Sequence, residues 1–195
     1  VRDTLLRWFR LNGRDLPWRE INDPYRILIS EVMLQQTQVD RVIPAYTSFV
    51  QQFPDFRALA RATTADVIRA WRGLGYNRRA VYLHRSARIV VECYGGRMPT
   101  DISLMRKLPG VGEYTSSAVS CFAYNAQVPV MDTNVERVLT RVFRGWGSVN
   151  KNDRGTIALS ILPRGKAWEW TQGLMDFGAL TCTARSPACN SCVLA

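Results

Sequence analysis

Histidine and lysine are nearly missing from this chain: its 195 residues hold one histidine and three lysines, against 23 arginines. A lone His84, set in Tyr82-Leu83-His84-Arg85, reads as a side chain packed on a helix, and no Ser/His/Asp set forms around it. No phosphate-binding P-loop and no dinucleotide fingerprint occurs, which excludes the commonest nucleotide-dependent enzymes. No apolar run reaches the ~18 residues of a membrane span, and no signal-peptide pattern opens the chain. The expectation is an intracellular, cytoplasmic protein in a reducing compartment, without a membrane partner. No Val/Ile/Thr alternation is long enough for a strand, and there is no internal repeat or low-complexity tract.

What is present is a helical, basic, globular chain. Hydrophobic residues make up 47%, and a chain of this length can bury about 70% of its unfolded surface. The net charge of +10 and a pI of about 9.9 point to a polyanionic partner. Arginine forks bind phosphate bidentately and stack on bases, so their excess favours nucleic acid; genomic base composition produces the same bias. The five cysteines read as metal ligands and core thiols, not disulfides.

Apolar spacing predicts helices over 2–11, 24–38, 40–53, 56–61, 64–72, 77–94, 101–107, 112–125, 134–143 and 166–179. Asp23-Pro24 supplies an N-cap and first-turn proline for the second. A break near 130–133 separates a compact helical set from an irregular, cysteine-bearing tail. The first helix has an apolar face with no place in that set, so it is expected to pack with the C-terminal segment.

Five motifs carry chemistry. Glu31 lies with Ile27, Leu28 and Leu34 on an apolar helix face. A buried carboxyl kept neutral near pH 7 is a general acid; a buried Glu paired to an arginine is the structural reading. Leu108-Pro109-Gly110-Val111-Gly112 joins two helices in a hairpin whose second N-terminus favours phosphate, a sequence-blind contact. Asp132-Thr133-Asn134 either caps a helix or sets Asp132 against a cation, and both can hold. Gly73-Leu74-Gly75-Tyr76-Asn77-Arg78-Arg79 offers a Leu and a Tyr as a wedge for a base stack, or ends a helix with a packed Tyr. Cys182, Cys189 and Cys192 signal zinc or an iron–sulfur cluster, while Cys93 and Cys121 read as core thiols.

Together these stretches, with Leu16-Pro17-Trp18-Arg19, Ser30 to Val39 and Met175-Asp176-Phe177-Gly178-Ala179, resemble the helix-hairpin-helix (HhH-GPD) DNA glycosylase superfamily. Within its endonuclease III-like group the match is to the catalytic portion of MutY-type adenine glycosylases, over nearly the whole chain. The resemblance implies an all-α fold of two helical domains with a catalytic cleft between them. One is a six-helix barrel, 24–133, with the hairpin; the other joins 1–23 to 134–195 around a 4Fe-4S cluster. Cys182, Cys189 and Cys192 would ligate the cluster, with a fourth Cys expected just beyond Ala195.

By the same resemblance Glu31 would protonate a flipped adenine and then position water. Asp132 would stabilise an oxocarbenium-like sugar, and Asn134 would keep the site polar, a two-carboxyl logic shared with glycoside hydrolysis. Tyr114 falls where lyase-active relatives carry a Schiff-base Lys, implying a monofunctional glycosylase. Gln172 would read adenine, with Arg14, Trp18, Arg19 and Leu34 forming its pocket. Gln36, Thr37 and Tyr76 would face the opposite guanine, and Leu74 and Leu108 to Gly112 would complete the DNA contact. The implied partner is duplex DNA with a mispaired or damaged base, bound by a single copy of the protein in the nucleoid. Relatives of this branch also carry a C-terminal domain that reads 8-oxoguanine, beyond the stretch matched here. The rival readings are a thymine/uracil glycosylase acting opposite guanine and a non-catalytic DNA-binding module.

Overall fold

The computed structural model describes residues 1–19, 21–143 and 150–195. Among them are eleven α-helices and no strand, and none of those helices is long and apolar enough to cross a membrane. Chain contacts divide the protein into two compact units, Leu16–Tyr124 and Val1–Asp15 with Asn125–Ala195. The resemblance places the domain boundaries at 23/24 and 133/134.

The Leu16–Tyr124 unit is built around α2 (Pro24–Leu34). The Asp23 carboxylate accepts from the Tyr25 and Arg26 amides and Pro24 opens the first turn, so this helix starts where its side chains dictate. Residues 25 and 27–33 are buried, because α2 packs against α3 (Val39–Gln52), α6 (Arg78–Tyr94) and α8 (Glu113–Tyr124). The short helices α4 (Phe56–Arg61) and α5 (Thr64–Ala70) lie against α6, and the single turn α7 (Ile102–Met105) against α8. Trp71 and Phe49, both fully buried, meet edge to face at 5.8 Å in the core.

In the other unit, α1 (Arg2–Asn12) and α9 (Thr133–Val142) both pack on α11 (Ala167–Leu180). The apolar face of α1 finds its cover there: Trp8 stands edge-on to Phe177 at 5.0 Å, and Phe9 lies 5.9 Å from Trp168.

Two elements depart from the sequence expectation. The second helix stops at Leu34 rather than Gln38, because Gln36 takes a left-handed φ of 56° and the Arg79 guanidinium takes the carbonyls of Val32, Met33 and Gln35. A helix α10 (Lys151–Ile161) was not foreseen. Its run Ile157-Ala158-Leu159 is contiguous rather than spaced on one face, so periodicity gives no signal.

Candidate active site

In the Leu16–Tyr124 unit, Glu31 sits on the buried α2 with 6% exposure. The Tyr114 hydroxyl, one residue into α8, donates to Glu31 Oε2 at 2.8 Å. The packing of α8 on α2 makes this contact, and Gln35 Nε2 donating to Thr115 Oγ1 at 3.5 Å adds a looser tie beside it. The Tyr114 partner of Glu31 is a phenol, which apolar spacing alone does not reveal.

The hairpin begins with Asp101, whose carboxylate accepts from the Ser103 amide at 2.7 Å and caps α7. Hydrogen bonds to Ser103 hold this carboxyl below its usual pKa. Leu108 and Val111 are buried at 3% and 6% exposure, so their side chains pin the turn from inside. Gly110 is left-handed at φ 78° and lies against Tyr82, where a Cβ would come to 3.0 Å. Ser86 Oγ donates to Pro109 O at 2.8 Å. What reaches solvent is backbone at Gly110 and Gly112, with Lys107 beside it.

A second exposed feature is built from two turns. Tyr76 is 65% exposed although it is a large aromatic, and it holds a left-handed φ of 47° between Gly75 and Asn77. Leu74, expected beside it as part of a wedge, is buried at 4%. Gln36 is exposed, and the half-buried Thr37 hydroxyl lies 3.4 Å from Leu74 O. Arg79, which the sequence reading only bracketed with the loop, joins both turns. Burial lowers its pKa, though nowhere near neutrality for a guanidinium. Of the expected base-pocket residues in this unit, Trp18 is buried edge-on to Tyr46 at 5.3 Å, Arg19 is buried, and Leu34 ends α2 half-buried.

In the other unit both readings of Asp132 hold at once. Its Oδ1 accepts from the Val135 amide at 2.7 Å, capping α9, and its Oδ2 accepts from Asn134 Nδ2 at 3.0 Å. Asn134 Oδ1 in turn accepts from Arg137 Nη2 at 2.7 Å, which fixes the amide's orientation. Arg137 also donates to Gly178 O and, through Nε, to Cys182 O.

The Met175–Ala179 stretch divides its labour. Asp176 is fully buried and paired to Arg14, with Nη2 at 2.6 Å and Nε at 2.8 Å from Oδ1. Phe177 packs on Trp8, and Gly178 leaves room for Asn134. Arg14, expected in a base pocket, therefore has a large structural commitment. Gln172 is buried on α11 at 7% exposure. No local pattern flags Arg137 or the Arg14–Asp176 pair, since their partners lie 41 to 162 residues away.

Cys182 is buried, Cys192 half-buried and Cys189 exposed, all three as free thiols. Arg141 Nη1 lies 3.4 Å from Cys182 Sγ. The donor chemistry suits a thiophilic centre. Among the described residues, however, no group of three or more His, Cys, Asp or Glu is gathered to hold a metal. Of the two remaining cysteines, Cys121 is buried as expected of a core thiol, whereas Cys93 is exposed.

Comparison with known proteins agrees with this geometry. The model of the "HhH-GPD superfamily base excision DNA repair protein" family matches residues 29–160. The chain is 46% identical over its whole length to an "Adenine DNA glycosylase" of Mycobacterium tuberculosis, of which it spans 66%. It is 35% identical to a "Thymine/uracil-DNA glycosylase" of Methanothermobacter thermautotrophicus, with 97% of this chain and 87% of that protein covered. A thermostable thymine-DNA glycosylase structure superposes with a TM-score of 0.91 at 34% identity, covering 97% of this chain and 89% of that one. A non-covalent endonuclease III–DNA complex gives 0.86 at 23% identity over 98% and 89%, which speaks to the fold. The buried carboxylate, the hairpin and the capped Asp-Thr-Asn turn thus fall in a chain most of which one family model describes, and the chain belongs to the HhH-GPD superfamily of base excision DNA repair proteins.

Proposed function

We propose that this chain is the catalytic portion of a monofunctional DNA N-glycosylase that removes adenine mispaired with 8-oxoguanine or guanine. The observation that carries the reading is Glu31, buried on an apolar helix with the Tyr114 hydroxyl 2.8 Å from Oε2. A protonated Glu31 donates to the leaving adenine as the C–N glycosidic bond breaks, and the base departs neutral. Glu31, now a carboxylate, takes a proton from the water whose oxygen bonds to the sugar. Tyr114 holds Oε2 during both steps and offers no amine for a Schiff base, so an abasic site is the product. The Asp132 carboxylate, fixed by the Val135 amide and Asn134, supplies the negative charge that stabilises the cationic sugar.

DNA binding is assigned to the backbone of the 108–112 turn, which grips phosphate, and to Gln36, Thr37 and Tyr76 on the base opposite the target. Arg14, Trp18, Arg19, Leu34 and Gln172 are assigned to the adenine itself. Cys182, Cys189 and Cys192 would hold three corners of a 4Fe-4S cluster. When bound, such a group supplies a cross-link of the C-terminal segment and folding free energy, not a step of base excision. A brown protein with a broad band near 400 nm is the expected sign, whereas a zinc centre would be colourless.

A second reading, removal of thymine or uracil opposite guanine, is favoured by the archaeal relative matched over 87% of its length. Duplexes carrying A opposite 8-oxoguanine, A opposite G, T opposite G and U opposite G, cleaved with alkali after incubation, separate the two. Loss of adenine supports the proposal, and loss of T or U alone overturns it. Glu31→Gln should abolish excision while leaving duplex binding intact, and Tyr114→Phe should slow it about 10- to 100-fold, the worth of a hydrogen bond to a charged group. An active Glu31→Gln enzyme would refute the assigned general acid.

A further inference from the structure

Arg79, in the first turn of α6, makes an unusual number of contacts for one side chain. Its Nη1 donates to Val32 O and Met33 O, each at 2.9 Å, and to Gln35 O. Its Nη2 donates to Thr37 Oγ1 at 3.0 Å and to Leu74 O and Gly75 O, each at 3.1 Å. The guanidinium also lies over the rings of Trp71 and Tyr76 at 5.5 and 5.6 Å.

The carbonyls of Val32 and Met33 belong to the last turn of α2, where intrahelical donors run out. Gln35 and Thr37 flank the left-handed Gln36, and Leu74 and Gly75 lead into the left-handed Tyr76. Non-glycine residues at positive φ are held only where the surroundings over-determine them. Here one planar fork supplies that determination to both turns at once, a task a lysine's point charge cannot reproduce. The guanidinium is turned inward and half-buried, so this arginine is not a phosphate contact.

We infer that Arg79 is a positioning residue for specificity: it locks the Gln36 turn and the Tyr76 loop into one rigid element, so that both present to the opposite base together. The inference rests on the assignment of Gln36, Thr37 and Tyr76 to that base. Arg41, which donates to Gly73 O, steadies the same loop from its outer side.

The test uses Arg79→Lys, Tyr76→Ala and the double variant. It compares single-turnover excision of A opposite 8-oxoguanine, G and C, with hydrogen exchange of residues 35–38 and 73–77 in free protein. Arg79→Lys is expected to lose about tenfold in its preference among opposite bases, more than in its best rate. Both turns should lose exchange protection together while the rest of the unit keeps it. Adding Tyr76→Ala should then cost little more, since the two act as one unit. An unchanged preference, a change in one turn only, or additive losses would each overturn the inference. If Arg79→Lys does not fold, Thr37→Val, which removes one acceptor of six, must raise exchange in the 73–77 loop as well as its own turn, or the inference fails. Should the wild-type protein excise no adenine, the assignment of function fails, while the exchange measurement still decides whether Arg79 couples the turns.

Discussion

Gly178→Ala should disable this protein more than any comparable change on the same helix. An added Cβ would stand 2.7 Å from Asn134 Cβ and 3.2 Å from both its Cα and its carbonyl oxygen. Carbon atoms at rest lie about 3.5–4.0 Å apart, so α9 and α11 must separate by roughly 1 Å, and backbone cannot swing aside as a rotamer can. Overpacking of this kind costs about 1–3 kcal/mol, while alanine in place of a helical glycine returns about 1 kcal/mol. The net loss is then about 0–2 kcal/mol, a fall of up to roughly 1 M in the urea midpoint for a slope near 2 kcal/mol/M. The larger effect is functional, because the displaced residue belongs to the Asp132–Asn134 turn. A 1 Å error there should lower single-turnover excision by about 100-fold. Gly173→Ala is the internal control: on the same helix its Cβ would meet side-chain atoms, Phe9 Cβ at 3.3 Å and Leu5 Cγ at 3.6 Å, and no backbone that close. If Gly178→Ala melts and cleaves like Gly173→Ala, the close approach of α11 to Asn134 has no bearing on the reaction.

Arg14→Met leaves the fully buried Asp176 short of its cation and should destabilise the protein by about 3 kcal/mol in urea titration, with much of the loss recovered in Arg14→Met/Asp176→Asn. Burial pushes the Tyr46 phenol up to about 12, so it stays neutral in the folded protein while an unfolded tyrosine ionises near pH 10. Its contribution is therefore intact below about pH 10 and lost as pH rises toward 12. Among the described residues the hydroxyl meets no partner, so Tyr46→Phe should be neutral or stabilising by up to about 1 kcal/mol and should flatten that alkaline limb. The depressed Asp101 carboxyl has the opposite sign: its stabilisation is present above the unfolded value, about 3.9, and disappears as pH falls through the lower folded value. Hydrogen exchange of residues 102–105 should accelerate below about pH 4 in the wild type and much less in Asp101→Asn, which caps without titrating.

What was legible in the sequence was local. Asp23-Pro24 and Asp132 cap helices through their own neighbours' amides, and a cap needs only the next few residues. The Glu31 face, the hairpin turn and the exposed Tyr76 loop follow from spacing and glycine placement for the same reason. The end of α2 was missed because α6, not α2, supplies the donor that stops it. Likewise Tyr114 could be placed by resemblance, but its bond to Glu31 spans 83 residues, a distance at which spacing carries no information. Leu74, Leu108 and Val111 show the converse: the motif is local, yet whether its apolar members face outward depends on packing, and all three are buried.

The arginine excess is explained only in part by a polyanionic partner. Arg2 donates to Ser160 O and Ile161 O, Arg57 to Gly95 O, Arg137 to Gly178 O and Cys182 O, and Arg141 to Thr183 O and Ala184 O. With Arg41 and Arg79, six side chains thus satisfy carbonyls at helix ends and in turns. A chain whose described residues form eleven helices must terminate many of them, and each C-terminal end leaves up to four carbonyls without intrahelical donors. A planar fork with five N–H groups can serve several of these at once, whereas an ammonium serves them one at a time without fixed direction. Replacing these six arginines by lysine would preserve the net charge of +10 and much of the long-range attraction to any polyanion. It would loosen the turns that carry Tyr76, Gln36 and Asn134. Charge sets the long-range field of such a chain, and fork geometry keeps its turns in shape.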